Sequence, residues 1–182
     1  MLNKLITSCF RLQAGAPAFR IYGKARWERT WRVIGIFASR RHNVDSRWPL
    51  MRGACVTWTD EVIVVGWDFA EIVLQEQRRD PASREHPVEV AGGRLRDAAR
   101  RAAAQARSYP FASEVLAHEV GHTAQAIRLG PVYLPVVGSV TRHGEGPHWW
   151  NHFENQASEQ GQFGGILSGS VCQELVRWLR EG

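Results

Sequence analysis

Three residues within one short run could do hydrolytic chemistry together: His118, Glu119 and His122, in His118-Glu119-Val120-Gly121-His122. On a helix, positions i and i+4 stack on one face about one turn apart. Two imidazoles placed in that way can share one zinc ion at roughly 2.0–2.1 Å. Glu119 lies about 100° around the same helix. That offset suits a general base acting on water rather than a metal ligand. Zinc lowers the pKa of water to about 7, which brings its proton within reach of a carboxylate. The plain alternative is two surface histidines beside an ordinary glutamate. Val115 and Leu116 before the motif, and the uncharged Val120 and Gly121 inside it, favour a helix anchored to a core.

A catalytic zinc site takes three protein ligands and leaves a position open. The downstream candidates are His143, Glu145, His148, His152, Glu154 and Glu159. Thr123 to Arg128 contain no histidine, so the extended HExxHxxGxxH pattern is absent. The third ligand must then come from a later element. Glu154 is the favoured residue, far enough downstream for a loop and a returning helix. Glu159 and a histidine such as His148 are its alternatives, and an exposed helix acid is the plain one. Ser158, four residues after Glu154, shares its helical face and could reach back to a site histidine. His143, His148, His152 and Tyr133 could stabilise a developing oxyanion; each is more simply a surface or structural residue. His148 and His152 are themselves four apart, but Trp149-Trp150 between them suggests packing.

These side chains need elements to hold them. Ser113 reads as the N-cap of a helix over Phe111–Leu129, with Glu114 in its first turn and Gly130-Pro131 closing it. A helix over 150–161 would carry Glu154, and an amphipathic one runs over 171–180 through Val171, Leu175, Trp178 and Leu179. Ala54–Trp58 and Val62–Trp67 are rich in β-branched and aromatic residues and read as a hairpin. Arg32–Phe37 contains a Val-Ile-Gly-Ile-Phe run that fits a strand or a buried helix segment. The rest of residues 1–50 has no regular pattern. Residues 76–95 read as a polar loop, 94–107 as an Ala- and Arg-rich helix ended by Tyr109-Pro110, and Leu129–Val140 as an apolar loop or interfacial patch.

The 182 residues suit one domain with an ordinary soluble composition, 44% hydrophobic and 23% charged. With that core content the chain can build a core, and wholesale disorder is not expected. The net charge is +5, and Lys4, Arg11, Arg20, Lys24 and Arg26 precede the first acid. Such a face could meet an anionic membrane or simply be solvated; no nucleic-acid-binding motif accompanies it, and no nucleic acid is expected. Cys9, Cys55 and Cys172 are odd in number and far apart, so neither a disulfide framework nor a cysteine zinc site is read, and a reducing, cytoplasmic compartment fits. The Leu5–Phe10 run is too short for a convincing signal peptide, and no stretch is long enough to span a membrane.

The run His118-Glu119-Val120-Gly121-His122-Thr123-Ala124-Gln125 resembles the HExGHTxQ helix of small bacterial metallopeptidase domains of the gluzincin group. Glu154, Ala157 and Ser158 match the spacing of the second, glutamate-bearing helix of those domains. Leu129–Pro135 is similar to their Gly-Pro-rich apolar segment, and Ala54–Gly66 to their cleft-flanking strands. The resemblance spans roughly residues 50–165. Ser158 stands where those domains often carry an acid. What the resemblance implies is an α+β, zincin-like domain over 51–182, with a small sheet packed on the HExxH helix and a following glutamate helix. Residues 1–50 would form a basic, partly irregular N-terminal segment. It also implies a Zn2+ cofactor held by His118, His122 and Glu154, Glu119 as catalytic base, and a peptide or protein substrate. An edge strand near Val62–Gly66 would pair with that substrate, and Leu129–Val140 would offer membrane-surface contact. The other classes to weigh are a non-catalytic zinc-stabilised interaction protein and a secreted toxin or effector protease.

Overall fold

The computed structural model of the chain describes residues 4–5, 7–8, 15–40, 54–79, 111–142, 152–164, 167 and 169–181. Five strands form one mixed sheet: β1 (Phe19–Ala25), β2 (Arg32–Ala38), β3 (Cys55–Thr59), β4 (Val62–Val65) and β5 (Gly161–Gly164), in the order β3-β4-β2-β1-β5. β1 pairs antiparallel with both β2 and β5, and β3 with β4, whereas β2 and β4 run parallel. β4 is Val62-Ile63-Val64-Val65 and is buried along its whole length. That composition fits a strand flanked on both edges and covered on both faces.

The helices are α1 (Trp67–Arg79), α2 (Ala112–Leu129), α3 (Tyr133–Arg142), α4 (His152–Gln160) and α5 (Gly169–Glu181), with a 3-10 turn at Gly130–Val132. Val115, Leu116 and Val120 of α2 enter one core with Ile21, Ile34, Ile36, Ile63 and Val65 of the sheet. Phe69 and Val73 of α1 and Leu175 and Leu179 of α5 complete it. Full burial of one such side chain contributes about 1.5–3 kcal/mol. Gly23 lets α2 lie this close to β1: a Cβ there would sit 2.8 Å from Val120 Cγ2. With its apolar stripe spent on the sheet, α2 turns His118 and His122 toward α4. The α+β class expected from the sequence is the one observed.

Several local expectations need correction. Residues 19–25 are not irregular but supply β1, and of the two readings of Arg32–Phe37 the strand is the one observed, as β2; both share the core with the later strands. The hairpin is present, with a register irregularity between Thr57 and Thr59, but Val62–Val65 is an inner strand; the sheet edges are β3 and β5. α1 runs to Arg79 and so takes in the first residues of the loop expected from residue 76. Leu129–Val140 is a 3-10 turn leading into α3, with Tyr133 and Val137 buried against Ala126, rather than a loop. Ser113 does not cap α2: the helix is entered from Phe111 without a side-chain cap. Its first amide, Ala112 N–H, donates instead to Glu76 Oε2 at 3.1 Å. A carboxylate from α1 thus meets both the free amide and the positive end of the α2 dipole. The helix read over 94–107 lies outside the described residues.

Candidate metal centre

Backbone contact between α2 and α4 brings the ligand atoms together. Gly121, inside the histidine motif, faces α4; a Cβ there would lie 2.5 Å from Ala157 Cα. Gly161, at the start of β5, is as close on the same side: its Cβ would lie 2.7 Å from the Gly121 nitrogen. Two glycines and Ala157 therefore remove the side chains that would otherwise hold these backbones apart. Glu154, one turn before Ala157, then reaches the histidines.

The contacts are close. His118 Nε2 lies 2.9 Å from Glu154 Oε2, His122 Nε2 lies 3.2 Å from the same oxygen, and the two Nε2 atoms are 3.0 Å apart. Three ligand atoms at roughly 2.0–2.1 Å from one tetrahedral ion are separated from each other by about 3.3 Å. A point at that distance from all three atoms exists, about 1 Å off the plane they define. The observed triangle therefore fits a single metal ion, and His118, His122 and Glu154 could hold one. Both histidines are nearly buried, at 6% and 5% exposure, while the Glu154 side chain is 26% exposed.

The far nitrogens are held as a metal site needs them. Gln125 Nε2 donates to the Phe153 carbonyl at 2.7 Å and to Gln156 Oε1 at 3.1 Å, so its own Oε1 is an acceptor. His122 Nδ1, 2.9 Å from that oxygen, must then carry a proton and donate. This tautomer directs the Nε2 lone pair of a neutral His122 at the shared point. His118 Nδ1 is 2.9 Å from Ser158 Oγ, as the sequence spacing anticipated.

Charge reinforces the geometry. Burial works against a charged His122, but the Glu154 hydrogen bond and the charges of Glu119 and Glu154 outweigh it and raise its pKa to about 9. Burial alone would also push Glu154 up. The hydrogen bonds from His118 and His122 overcome it and hold Glu154 well below the usual carboxylate range. The three ligands thus form a charge-assisted cluster in which a metal would replace a proton.

Glu119 is anchored from the sheet. Thr57 Oγ1 lies 2.7 Å from Glu119 Oε2 and 2.9 Å from the Glu119 carbonyl, and donates to them. Tyr133 packs its ring 6.4 Å from that of His122. Burial, then the charges of Glu119 and Glu154, push its pKa well up, so it is a neutral phenol able to donate. Burial and Glu119 likewise raise the Cys55 thiol far above its ordinary value, which keeps it from acting as a thiolate ligand.

No family model, curated protein or solved structure matches this chain. Of the candidates read from sequence, His118, His122, Glu154 and Ser158 come together, with Glu119 and Tyr133 beside them. Glu159 is exposed and outside the cluster, and His152 is exposed and packs edge-on against Phe153. His143, Glu145 and His148 lie outside the described residues. Thr57 was not singled out, because nothing in local spacing ties a strand threonine to a helix 62 residues away. Gln125 belongs to the motif by sequence, but its role depends on the acceptors around its amide, which local spacing does not reveal.

Proposed function

We propose that this chain is a zinc-dependent peptidase with a zincin-like arrangement, in which His118, His122 and Glu154 bind Zn2+ and Glu119 is the general base. The observation that carries this reading is the convergence of His118 Nε2, His122 Nε2 and Glu154 Oε2, with a second carboxylate, that of Glu119, separately anchored beside them. Two nitrogens and one carboxylate oxygen are a donor set that zinc accepts, and three protein ligands leave a position open for chemistry. Bound zinc would supply Lewis acidity, polarising a peptide carbonyl and lowering the pKa of water to about 7.

The remaining work belongs to the chain's own groups. Glu119 takes a proton from water as it attacks the carbonyl carbon and returns it to the leaving nitrogen as the C–N bond breaks. Thr57 fixes the carboxylate that makes both transfers. Tyr133 is a neutral donor suited to the oxygen on which negative charge develops. Among the described residues the outer edge of β3 has no strand partner, and Thr57 lies on that strand. An extended peptide could add there by main-chain hydrogen bonds.

A non-catalytic role, with zinc only tying α2 to α4, is favoured by one fact: Glu119 is just 7% exposed. The two readings part on turnover. Cleavage of an unstructured protein such as casein, blocked by a chelator and restored by zinc, is the expected result. Glu119→Gln should retain zinc and lose about 10²–10⁴-fold in rate. Zinc retention with the same cleavage rate in Glu119→Gln would reject the peptidase assignment; bound zinc with no cleavage by the wild type on a broad peptide library would leave the structural role standing.

A further inference from the structure

The tip of the β1–β2 hairpin carries surface that the metal site does not use. Trp27 and Trp31 are 42% and 47% exposed, and Ile127, on α2, is 42% exposed. They belong to one region. Arg128 stacks over the Trp27 ring at 4.0 Å, and Lys24 lies over the Trp31 ring at 5.1 Å. Arg32 bonds Thr123 Oγ1 at 3.0 Å, and Ile127 is one helical turn beyond Thr123 on the same face. Pro131 and Val132 follow directly and are exposed.

The charge around these apolar groups has one dominant sign. Lys24, Arg26, Arg29 and Arg128 surround the tryptophans, with Arg26, Arg29 and Arg128 exposed. Glu28 is already committed: Oε2 accepts from the Ala25 amide at 2.6 Å and from Arg32 at 3.1 Å. Glu159 is the acid beside Gln160, whose Oε1 accepts from Trp27 Nε1 at 2.8 Å.

We infer that this tip docks on an anionic lipid bilayer, with Trp27, Trp31 and Ile127 entering the interface and Lys24, Arg26, Arg29 and Arg128 meeting the headgroups. Tryptophans ringed by lysine and arginine suit the boundary between acyl chains and headgroups. Exposed aliphatic residues have a use in that boundary and none in stacking on nucleobases. Both tryptophan rings already carry a cation within 5.1 Å, so they are poor open platforms for bases. The docking region shares α2 with the histidines, which places the candidate site close to the lipid surface. Among the described residues no helix is long and apolar enough to cross a membrane.

The test is co-sedimentation of the full zinc-loaded chain with vesicles of phosphatidylcholine plus phosphatidylserine, against vesicles of phosphatidylcholine alone and against single-stranded oligothymidine. The expected result is partition onto the anionic vesicles, weakened by raising the salt. The substitution pair Trp27→Ser with Trp31→Ser should lower that partition at least about tenfold, with circular dichroism and zinc content unchanged. If that variant does not fold, Arg29→Glu with Arg128→Glu keeps the apolar groups and should give a comparable loss on anionic vesicles only. Failure of the wild-type chain to sediment with anionic vesicles would overturn the inference. So would equal partition by a folded variant, equal binding to neutral vesicles, or binding to oligothymidine in place of lipid.

Discussion

His122 carries two opposed demands in its two nitrogens. Nδ1 is a committed donor to Gln125, and Nε2 is wanted both by a proton and by a metal. Without metal, its pKa of about 9 stands above the ordinary 6.5, so the charged pair with Glu154 stabilises the fold. That contribution is complete below about pH 6.5 and is lost as pH rises through about 9. Glu154 shifts in the other direction, so its part is complete above about pH 4.5 and is lost on acidification. The metal-free protein should therefore gain most from this pair between those limits. Zinc reverses the preference, because it takes the Nε2 lone pair only after the proton has left. Zinc binding at pH 7 is expected to release about one proton per ion from His122. Calorimetry in buffers of different ionisation heats checks this: a heat independent of the buffer would show that His122 is already neutral.

At the scale of elements, the site depends on how closely α2 and α4 approach. Gly121 is the residue that permits it, since a Cβ there would meet the Ala157 backbone. Gly121→Ala should push the helices apart, cost about 1–3 kcal/mol in denaturant unfolding and weaken zinc binding, although no ligand is touched. Unchanged stability and zinc affinity would mean that the close approach is not needed. This glycine also marks what could be read from sequence. The helix with His118 and His122 was legible because its ligands are local, one turn apart. The β3–β4 hairpin was legible from its β-branched runs. β5, Gly161-Gln162-Phe163-Gly164, has no strand-like composition and is a strand because β1 offers it an edge beside α2. β1 has Gly23 in its middle, placed by the demand of Val120 rather than by strand propensity. The start of α1, residues 68–75, carries no assignment from sequence: Asp68, Glu71 and Gln75 recur at helical spacing, but the apolar run between them resembles that of β4, and Asp68 and Glu71 are themselves buried. Glu154 could be ranked above Glu159 by spacing, but only the packing of Ala157 against Gly121 separates them in space.

Across the whole molecule, the candidate ligands join the helix that rests on the sheet to one packed on its outer side. α2 is bound to the sheet through Val115, Leu116 and Val120, whereas Ala157 is the buried residue of α4. A shared ion would add a cross-link where apolar burial is slight. Binding to the folded state alone contributes about 4 kcal/mol when zinc is at 1,000 times its dissociation constant. For a chain of 182 residues, that corresponds to a melting temperature about 8–16 °C higher with zinc than with a chelator. Scanning calorimetry of both forms measures it; coincident transitions would show that the metal, if bound, does not link the helices. Glu119→Gln should show the same zinc-dependent rise, since it removes the proposed base and leaves the ligands.

The most direct measurement is the anomalous diffraction signal of the zinc-soaked protein at the zinc absorption edge. The expected result is one strong peak, roughly 2.0–2.1 Å from His118 Nε2, His122 Nε2 and Glu154 Oε2. A peak bound by other residues, or a map without one while the three side chains stay well ordered, would contradict the account.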